Sequence, residues 1–277
     1  MMRAWSYQDG RTATVNTIGT TDMSVALVEL SHYLDQCLQP DLFQDYCPNG
    51  LQVEGRPRVA RLATGVSACQ RFLDEAIEWG ADALLVHHGY FWRGEAPQVV
   101  GMKRRRLAAL LRSEVSLLAY HLPLDAHPEF GNNACLGRLM GLAPAEQGPL
   151  QPRIVGGLGN IGSFPVAIPA SDIVARLEGL TGRRPLHVGD PGAFVRRIAW
   201  CTGAAQDYIE AAVAAGADLF VTGEASEQTV HIAREEGIHF IAAGHHATER
   251  YGVQAVGNHV ATHFSLEHRF IDIDNPV

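Results

Sequence analysis

The pattern of apolar positions in the chain is dominated by a helical segment followed by a short, continuous apolar run. Residues 70–79 carry apolar side chains with the spacing of one helical face: Phe72, Leu73, Ala76 and Ile77. Gly80 ends this predicted helix, and the apolar run at residues 83–86 leads directly into His87 and His88. Such a run predicts a buried parallel strand, although periodicity alone leaves a helix open. A polar cluster at the carboxyl end of a strand is typical of sites in α/β folds.

The same pattern returns later in the chain. Residues 70–88 and 206–224 both contain a glutamine, a helical pattern, Gly-Ala-Asp and an apolar run. In the second copy Gly223 and Glu224 stand where the first has its two histidines. We interpret this as an internal duplication with two equivalent strand ends. Chance similarity between two alanine-rich helices is the alternative.

Each copy also carries a histidine four residues before an acid, after a further apolar run. The first pair is His121 with Asp125, and the second is His245 with Glu249. If residues 244–251 open a helix, His245 and Glu249 lie on one face of it. The pattern therefore places imidazoles and carboxylates at several strand ends.

These donors predict a metal site. Imidazole and carboxylate groups suit Zn, Fe, Mn, Co or Ni. Glu249 could bridge two cations, so we expect two divalent cations per subunit, and such a pair can activate a water and polarise a substrate oxygen. At each position the alternative is a polar side chain that only satisfies packing. The predicted ligands are His87, His88, Asp125, His245 and Glu249.

Several nearby residues have open roles. His121 is either a ligand or a group that orients one, and Glu224 is either an orienting or acid/base group or a surface residue. The role of His246 is open. The basic run at residues 103–106 is either a solvated helix face or a contact for phosphate or another subunit. Turn and cap positions are expected for Asn49, Asn132 and Asn133, with substrate contacts as the alternative. Packing or surface positions are expected for His259, His263 and His268.

Composition narrows the function classes. The 277 residues are 47% hydrophobic and 19% charged, as in ordinary globular proteins. The net charge of −8 makes a nucleic-acid partner unlikely, because such binding needs a basic footprint. The five cysteines contain no C-x-x-C pair, which excludes a cysteine zinc motif. No apolar stretch approaches the ~20 residues of a membrane span, and no signal-peptide core is present, so a cytoplasmic location is expected.

The same patterns predict the domain organisation. Residues 1–22 lack periodicity and are expected to be a loose N-terminal extension. The two α/β repeats are expected at residues 23–145 and 198–277, the second completing the metal site. Between them, residues 146–197 carry strand-like and helix-like pieces with Ser171 as a helix N-cap, which predicts an inserted smaller α+β unit.

Six motifs together resemble one known family: DYCPNGLQVEG, LLVHHGYFWRGE, YHLPLDAHPEFGNNA, TGEASEQ, GHHATERYGV and FIDIDNPV. From about residue 23 to 277 the chain is similar to the YbgI-type, or Nif-three-like, proteins. These are dinuclear-metal hexameric proteins often called GTP cyclohydrolase type 2 homologues. The resemblance implies two intertwined α/β repeats with mixed sheets. It also implies a toroidal homohexamer with metal pairs facing an internal cavity, and by motif the same five ligands.

Two classes of function remain in competition. The first is a metal-dependent hydrolase acting on a small nucleotide-like substrate, with GTP ring opening as the candidate. The second is a non-catalytic, metal-binding hexameric scaffold or interaction protein. A phosphatase or peptidase with the same two-metal logic is a weaker third. The loop after His88 carries three successive aromatic residues, Tyr90, Phe91 and Trp92. We expect the loop itself to leave these three side chains exposed, and either another subunit or residues 154–197 to cover them.

Overall fold

The computed structural model describes residues 24–142, 147–151 and 158–277. The extension predicted at residues 1–22 lies outside the described residues. The first half contributes these elements: β1 (Val25–Ala26), α1 (Leu27–Leu38), β2 (Gly50–Val53), β3 (Arg58–Val59), β4 (Arg61–Ser67), α2 (Gln70–Trp79), β5 (Ala83–His88), α3 (Gly101–Ser113), β6 (Ser116–Ala119), α4 (Leu122–Ala126) and α5 (Asn132–Leu139).

The second half adds the remaining helices and strands of the described ranges: β7 (Gln147–Gln151), β8 (Leu158–Pro169), α6 (Ala170–Thr181), β9 (Leu186–Val188), β10 (Phe194–Trp200), α7 (Ile209–Ala214), β11 (Leu219–Thr222), α8 (Glu227–Glu236), β12 (His239–Ala242), α9 (His245–Thr248), α10 (Arg250–Phe264) and β13 (Glu267–Phe270). Short 3₁₀ turns lie at Pro40–Leu42 and Gln206–Tyr208. None of the described residues belongs to a helix long and apolar enough to cross a membrane.

Two mixed sheets form the body of the described protein. The first has the strand order β13-β4-β5-β6-β2, in which only β2 is antiparallel to its neighbour. The second has the order β7-β8-β10-β11-β12-β9, with β10, β11 and β12 parallel and the other pairings antiparallel. The predicted α/β class with mixed sheets is therefore confirmed.

The two proposed repeats have the same order of elements. In the first, α2, β5, α3, β6 and α4 follow one another, and in the second the order is α7, β11, α8, β12 and α9. In each sheet a run of parallel strands ends beside an antiparallel edge strand: four strands beside β2 in the first sheet, and three beside β9 in the second. An internal duplication would produce this repeated order of helices and strands.

The segment at residues 146–197 differs from the expected separate unit. Its long strand β8 pairs with β10, and β9 pairs with β12, so both lie in the second sheet. The predicted boundary at residue 198 falls inside β10. Pairing covers the edges of the parallel strands, which would otherwise present unpaired backbone groups. Ser171 is not a cap either: α6 begins after Pro169, and no side chain caps it.

The two halves exchange elements. β13, from the end of the chain, pairs with β4 of the first sheet. The apolar face of α10 joins the core of that sheet through Val253, Val256 and Val260. In return, Leu136 and Met140 from α5 and its end pack against Trp200 in the second core. This exchange brings the carboxyl end of β5 close to the junction between α9 and α10.

Candidate metal centre

The site is assembled from the carboxyl ends of strands in both sheets. β5 ends at His88, and β6 is followed by a short connection to α4, which carries Asp125. In the second sheet β12 leads to α9, which begins at His245 and ends just before Glu249. Parallel strands bring their carboxyl ends to one edge, where α/β folds place ligands.

All five predicted ligands converge on the carboxylate of Glu249. Their ligand atoms form two groups that share this carboxylate, one with His87 and Asp125 and one with His88 and His245, each within 4.8 Å. His87 Nε2 lies 3.4 Å from Glu249 Oε1 and 3.6 Å from Asp125 Oδ1. Glu249 Oε2 lies 3.4 Å from His88 Nε2 and 3.2 Å from His245 Nε2. The carboxylate therefore has one oxygen in each group.

Burial leaves two polar atoms of this cluster unsatisfied. His87 and Glu249 are 0% and 3% exposed. Among the described residues, neither His87 Nε2 nor Glu249 Oε2 makes a well-aligned hydrogen bond, although Glu249 Oε2 lies within 3.4 Å of two imidazole nitrogens. A buried polar atom without a partner costs about 1–3 kcal/mol, and more when it is charged. Cations held between the two groups would satisfy both atoms, so the donor set fits a metal centre.

A glycine keeps the centre open on one side. Gly203 has φ +71°, and a Cβ built on it would overlap Glu249 Oε1 and lie 3.4 Å from His245 Nε2. Its N–H donates to Thr248 Oγ1 at 3.1 Å, which fixes the glycine against α9. A side chain at this position would occupy the space around the shared carboxylate.

The second nitrogen of each histidine is held from outside the cluster. His87 Nδ1 lies 3.0 Å from the Tyr120 carbonyl oxygen, and His88 Nδ1 lies 3.0 Å from Ser67 Oγ. His245 Nδ1 lies 2.6 Å from Glu224 Oε1. Such contacts fix the orientation of metal-binding imidazoles and leave Nε2 to face the cluster. Glu224 thus orients His245 and is not a free surface residue.

The Asp125 carboxylate is held by two side chains that sequence reasoning did not assign to the site. Its Oδ1 accepts hydrogen bonds from Asn132 Nδ2 at 2.9 Å and Thr202 Oγ1 at 3.2 Å. Asn133 Nδ2 donates to the Asp125 carbonyl at 3.1 Å. The prediction that Asn132 and Asn133 are helix caps was wrong, because α5 begins at Asn132 and both side chains are buried.

His121 lies at the edge of the cluster, oriented by an acid that the sequence did not single out. Its ring centroid is 5.0 Å from that of His87 and 5.7 Å from that of His88. His121 Nδ1 lies 2.7 Å from Asp45 Oδ1, and its backbone N–H donates to Asn49 Oδ1 at 2.7 Å. Asn49 therefore positions the histidine as well as serving a loop.

The other histidines that the sequence singled out lie elsewhere. His246 follows His245 but bonds through Nε2 to Asp272 at 2.8 Å. His259 Nε2 is 2.7 Å from the Tyr33 hydroxyl, and His263 stacks on the same ring. His268 bonds to Thr64 and Asn258. His259, His263 and His268 thus make the packing contacts that the sequence predicted for them.

The aromatic loop is less exposed than predicted. Tyr90 is buried, and its hydroxyl donates to the Ala68 carbonyl at 2.8 Å. Trp92 is half-buried and donates through Nε1 to the Gly89 carbonyl. Phe91 is 38% exposed, with Lys103 over its ring. The expectation of three exposed aromatics was therefore wrong, because Tyr90 packs at the end of β4 and Trp92 folds back on the end of β5.

The electrostatics of the cluster follow from burial and from the two carboxylates. Burial alone would lower the pKa of His87, but Asp125 and Glu249 outweigh it and raise that pKa to about 9. Burial likewise opposes the charge on His245, yet Glu249 and Glu224 raise its pKa to about 9. Burial and the neighbouring imidazoles lower the pKa of His88 to about 3. Burial would raise the pKa of Glu249, but the surrounding histidines hold it well below its usual range. The cluster thus favours positive charge around ionised Glu249.

Comparisons with known proteins give a consistent result. Residues 25–276 match a family model described as Duf34/NIF3 (NGG1p interacting factor 3). A Pseudomonas aeruginosa protein named GTP cyclohydrolase 1 type 2 homolog is 56% identical over 92% of this chain and 100% of its own length. The Escherichia coli protein of the same name is 48% identical over 90% and 98%.

Solved structures give the same picture for the fold. The structure of protein ybgI, described as of unknown function, has a TM-score of 0.86 at 47% identity and covers 91% of this chain and 100% of its own. TTHA1606 from Thermus thermophilus has a TM-score of 0.82 at 36% identity, with the same coverage. Reduced HcgD from Methanocaldococcus jannaschii, at 21% identity, covers 91% of this chain and 99% of its own and shares the fold with a TM-score of 0.78.

Proposed function

The chain belongs to the Duf34/NIF3 family, and on that premise we propose that it is a metal-dependent hydrolase of small nucleotide-like substrates. It would hold two divalent cations per subunit. Imidazole and carboxylate donors suit Zn, Fe, Mn, Co or Ni. The homologues' name, GTP cyclohydrolase 1 type 2 homolog, makes GTP the first substrate to test. The proposed ligands are His87, His88, Asp125, His245 and Glu249.

One observation carries this proposal. Glu249 presents one oxygen to each of two donor groups, and the cluster contains buried polar atoms that no described residue satisfies. Two divalent cations bound there would act as Lewis acids that polarise a substrate oxygen and lower the pKa of a water. A structural ion pair would not need a carboxylate shared between two groups of metal-binding side chains.

Residues beside the cluster suit a planar, anionic substrate. The Trp92 ring lies 5.0 Å from the His121 ring and 6.0 Å from the His88 ring, which gives the centre an aromatic wall. Arg93 donates to the Asp45 carbonyl at 2.9 Å and is exposed, so its charge stays near the site. His121, oriented by Asp45 at Nδ1, would present Nε2 to the substrate. A heteroaromatic ring with an acidic substituent meets each of these groups.

We further propose that the active form is a toroidal homohexamer located in the cytoplasm. Support comes from an apolar patch that the described chain leaves uncovered at and before α3. Such patches mark interaction surfaces when they are contiguous. Sedimentation tests the assembly, and a stable monomer of 30.1 kDa would contradict it. Exposed members of the patch are Val99, Val100 and Met102.

The function is tested by metal content and turnover measured together. Purified protein is expected to hold two divalent cations per chain and to hydrolyse a member of a nucleotide panel that includes GTP. Glu249→Gln should lose both properties. Glu227→Gln, whose side chain is 93% exposed, is the matched control and should keep both.

The outcomes separate the competing functions. Two bound cations with no turnover on any nucleotide would favour the non-catalytic scaffold. Turnover that persists in metal-free protein or in Glu249→Gln would contradict the proposed mechanism. Protein that binds no divalent cation at all would overturn the metal centre.

A further inference from the structure

The segment at residues 271–277, which we call the strap, links the first sheet to the turn that carries His245. Ile271 is buried in the core of the first sheet, and its N–H donates to the Thr64 carbonyl at 2.9 Å. Ile273 packs against the same core. In extended chain alternate side chains face opposite ways. Asp272, between the two isoleucines, therefore faces α9 and α10.

Asp272 joins two residues that each follow a proposed ligand. Its Oδ1 lies 2.8 Å from His246 Nε2, and its Oδ2 accepts from Arg250 Nη1 at 2.9 Å. His246 comes directly after His245, and Arg250 comes directly after Glu249. One carboxylate thus spans the whole of α9 from outside the cluster.

The strap has further contacts with the same turn. The backbone N–H of His246 donates to the Val277 carbonyl at 3.0 Å. Arg183, just after α6, donates to the Pro276 carbonyl and packs against Gly244. Arg250 also donates to the Leu180 carbonyl at 3.1 Å. These contacts attach the turn both to the strap and to the end of α6.

The turn needs such support because its own backbone is short and irregular. α9 has four residues, too few to be stable as a helix without outside contacts. It is preceded by Gly244 at φ 105° and ends at Glu249, with φ −105° and ψ 6°. The conformation of Glu249 falls in the sparsely populated bridge region, where many active-site residues lie. Small changes at either end of α9 would move the shared carboxylate.

We propose that Asp272 is a positioning residue whose carboxylate clamps α9 and so sets the placement of His245 and Glu249 in the metal centre. The inference rests on the proposed metal centre. Asp272 contacts neither ligand side chain, so its effect passes through His246 and Arg250. Removing a partner that holds a metal-binding histidine directly typically changes metal affinity 10–100-fold. Because Asp272 acts one residue further out, its removal is expected at the lower end of that range.

Co(II) binding to the full-length protein tests the clamp. Affinity is measured by titration, and the d–d absorption spectrum reports the geometry of the bound ion. Asp272→Ala is expected to weaken Co(II) binding by about tenfold and to change the spectrum. Asp272→Asn keeps one acceptor oxygen, so it should lie between Asp272→Ala and wild type. Asp272→Asn also tests the clamp if the alanine variant does not fold.

Asp274→Ala is the matched control. Asp274 is an exposed acid on the same strap, with no hydrogen bond or ion pair to another described residue. It should bind Co(II) with the wild-type affinity and spectrum. Thermal unfolding of all variants without metal separates a loss of general stability from a change in the centre.

Three results would overturn the clamp. Wild-type Co(II) affinity and spectrum in both Asp272 variants would overturn the clamp but leave the metal centre standing, whatever the melting temperatures of the variants. An equal loss in Asp274→Ala would show that the strap responds to any charge change. A wild-type protein that binds no Co(II) would overturn the metal centre, and the clamp with it.

Discussion

Substitution of a single glycine separates the geometry of the metal centre from the stability of the fold. Gly203 has φ +71°, and a Cβ there would overlap Glu249 Oε1. Gly216 has φ +70°, but a Cβ there meets nothing within 4 Å. Alanine at either position adopts a left-handed backbone, which costs roughly 1–2 kcal/mol. The two variants should therefore lose similar stability from backbone strain, while only Gly203→Ala disturbs the site.

The size of the site effect follows from van der Waals separation. A Cβ and a carboxylate oxygen need about 3.5 Å between them, so Glu249 must shift by about 1 Å or more in Gly203→Ala. Bonds between protein ligands and such metals are about 2.0–2.2 Å, with a tolerance of about 0.2 Å. A shift of that size takes the Glu249 oxygen out of bonding range. We expect Gly203→Ala to lose on the order of 100-fold in divalent-cation affinity, the upper end of what disturbing the surroundings of a metal ligand costs.

Isothermal titration with Zn(II) or Co(II), together with urea unfolding of the metal-free proteins, measures both quantities. Gly216→Ala should bind with the wild-type affinity despite its lower free energy of unfolding. Wild-type affinity in a folded Gly203→Ala would refute the reasoning, because the added Cβ would then not displace the Glu249 carboxylate from the metal centre. A similar loss of affinity in Gly216→Ala would also refute it.

Three further predictions follow from the same cluster. Asn132→Ala removes a donor to Asp125 and leaves a buried carboxylate oxygen less satisfied, so urea unfolding should show a loss of about 1–3 kcal/mol; an unchanged midpoint would contradict this. Cation affinity should rise from pH 6 to about pH 9. The imidazoles of His87 and His245 have a pKa of about 9 without metal, and they must lose their protons to bind a cation. A pH-independent affinity in titration calorimetry would contradict this. Burial opposes ionisation of Asp45, but the contact with His121 lowers its pKa to about 2. It therefore stabilises the fold above the unfolded pKa of about 3.9, and this contribution is lost as the pH falls towards 2. Asp45→Asn should lack that part of the acid dependence in unfolding measurements, and the unchanged wild-type slope would contradict the assignment.

Local pattern was sufficient to predict the strand that presents His87 and His88 and the helical turn that presents His245. The apolar run before His87 is a buried strand because it lies in the middle of a parallel sheet, where both faces are covered. The spacing of His245 and Glu249 predicted a shared helical face, and the two side chains do meet. The helix itself breaks at Glu249, which sequence periodicity does not reveal.

Contacts between distant elements were beyond the reach of local pattern. Asp45 lies far from His121 in the chain, and Thr202 lies far from Asp125, yet each pair is hydrogen-bonded. Their residue types are common in loops, so nothing local marks them. The same limit explains the segment at residues 146–197, whose strands β8 and β9 join the second sheet through pairings that only the tertiary structure reveals.

We propose that Glu249 bridges two cations. Anomalous diffraction from crystals grown with Zn(II) or Mn(II) tests this bridge, because it locates each ion independently of any activity. We expect two anomalous peaks about 3.5–4 Å apart, one on each side of the Glu249 carboxylate. The first should lie beside His87 and Asp125, and the second beside His88 and His245. A single peak, or peaks that do not contact Glu249, would contradict it.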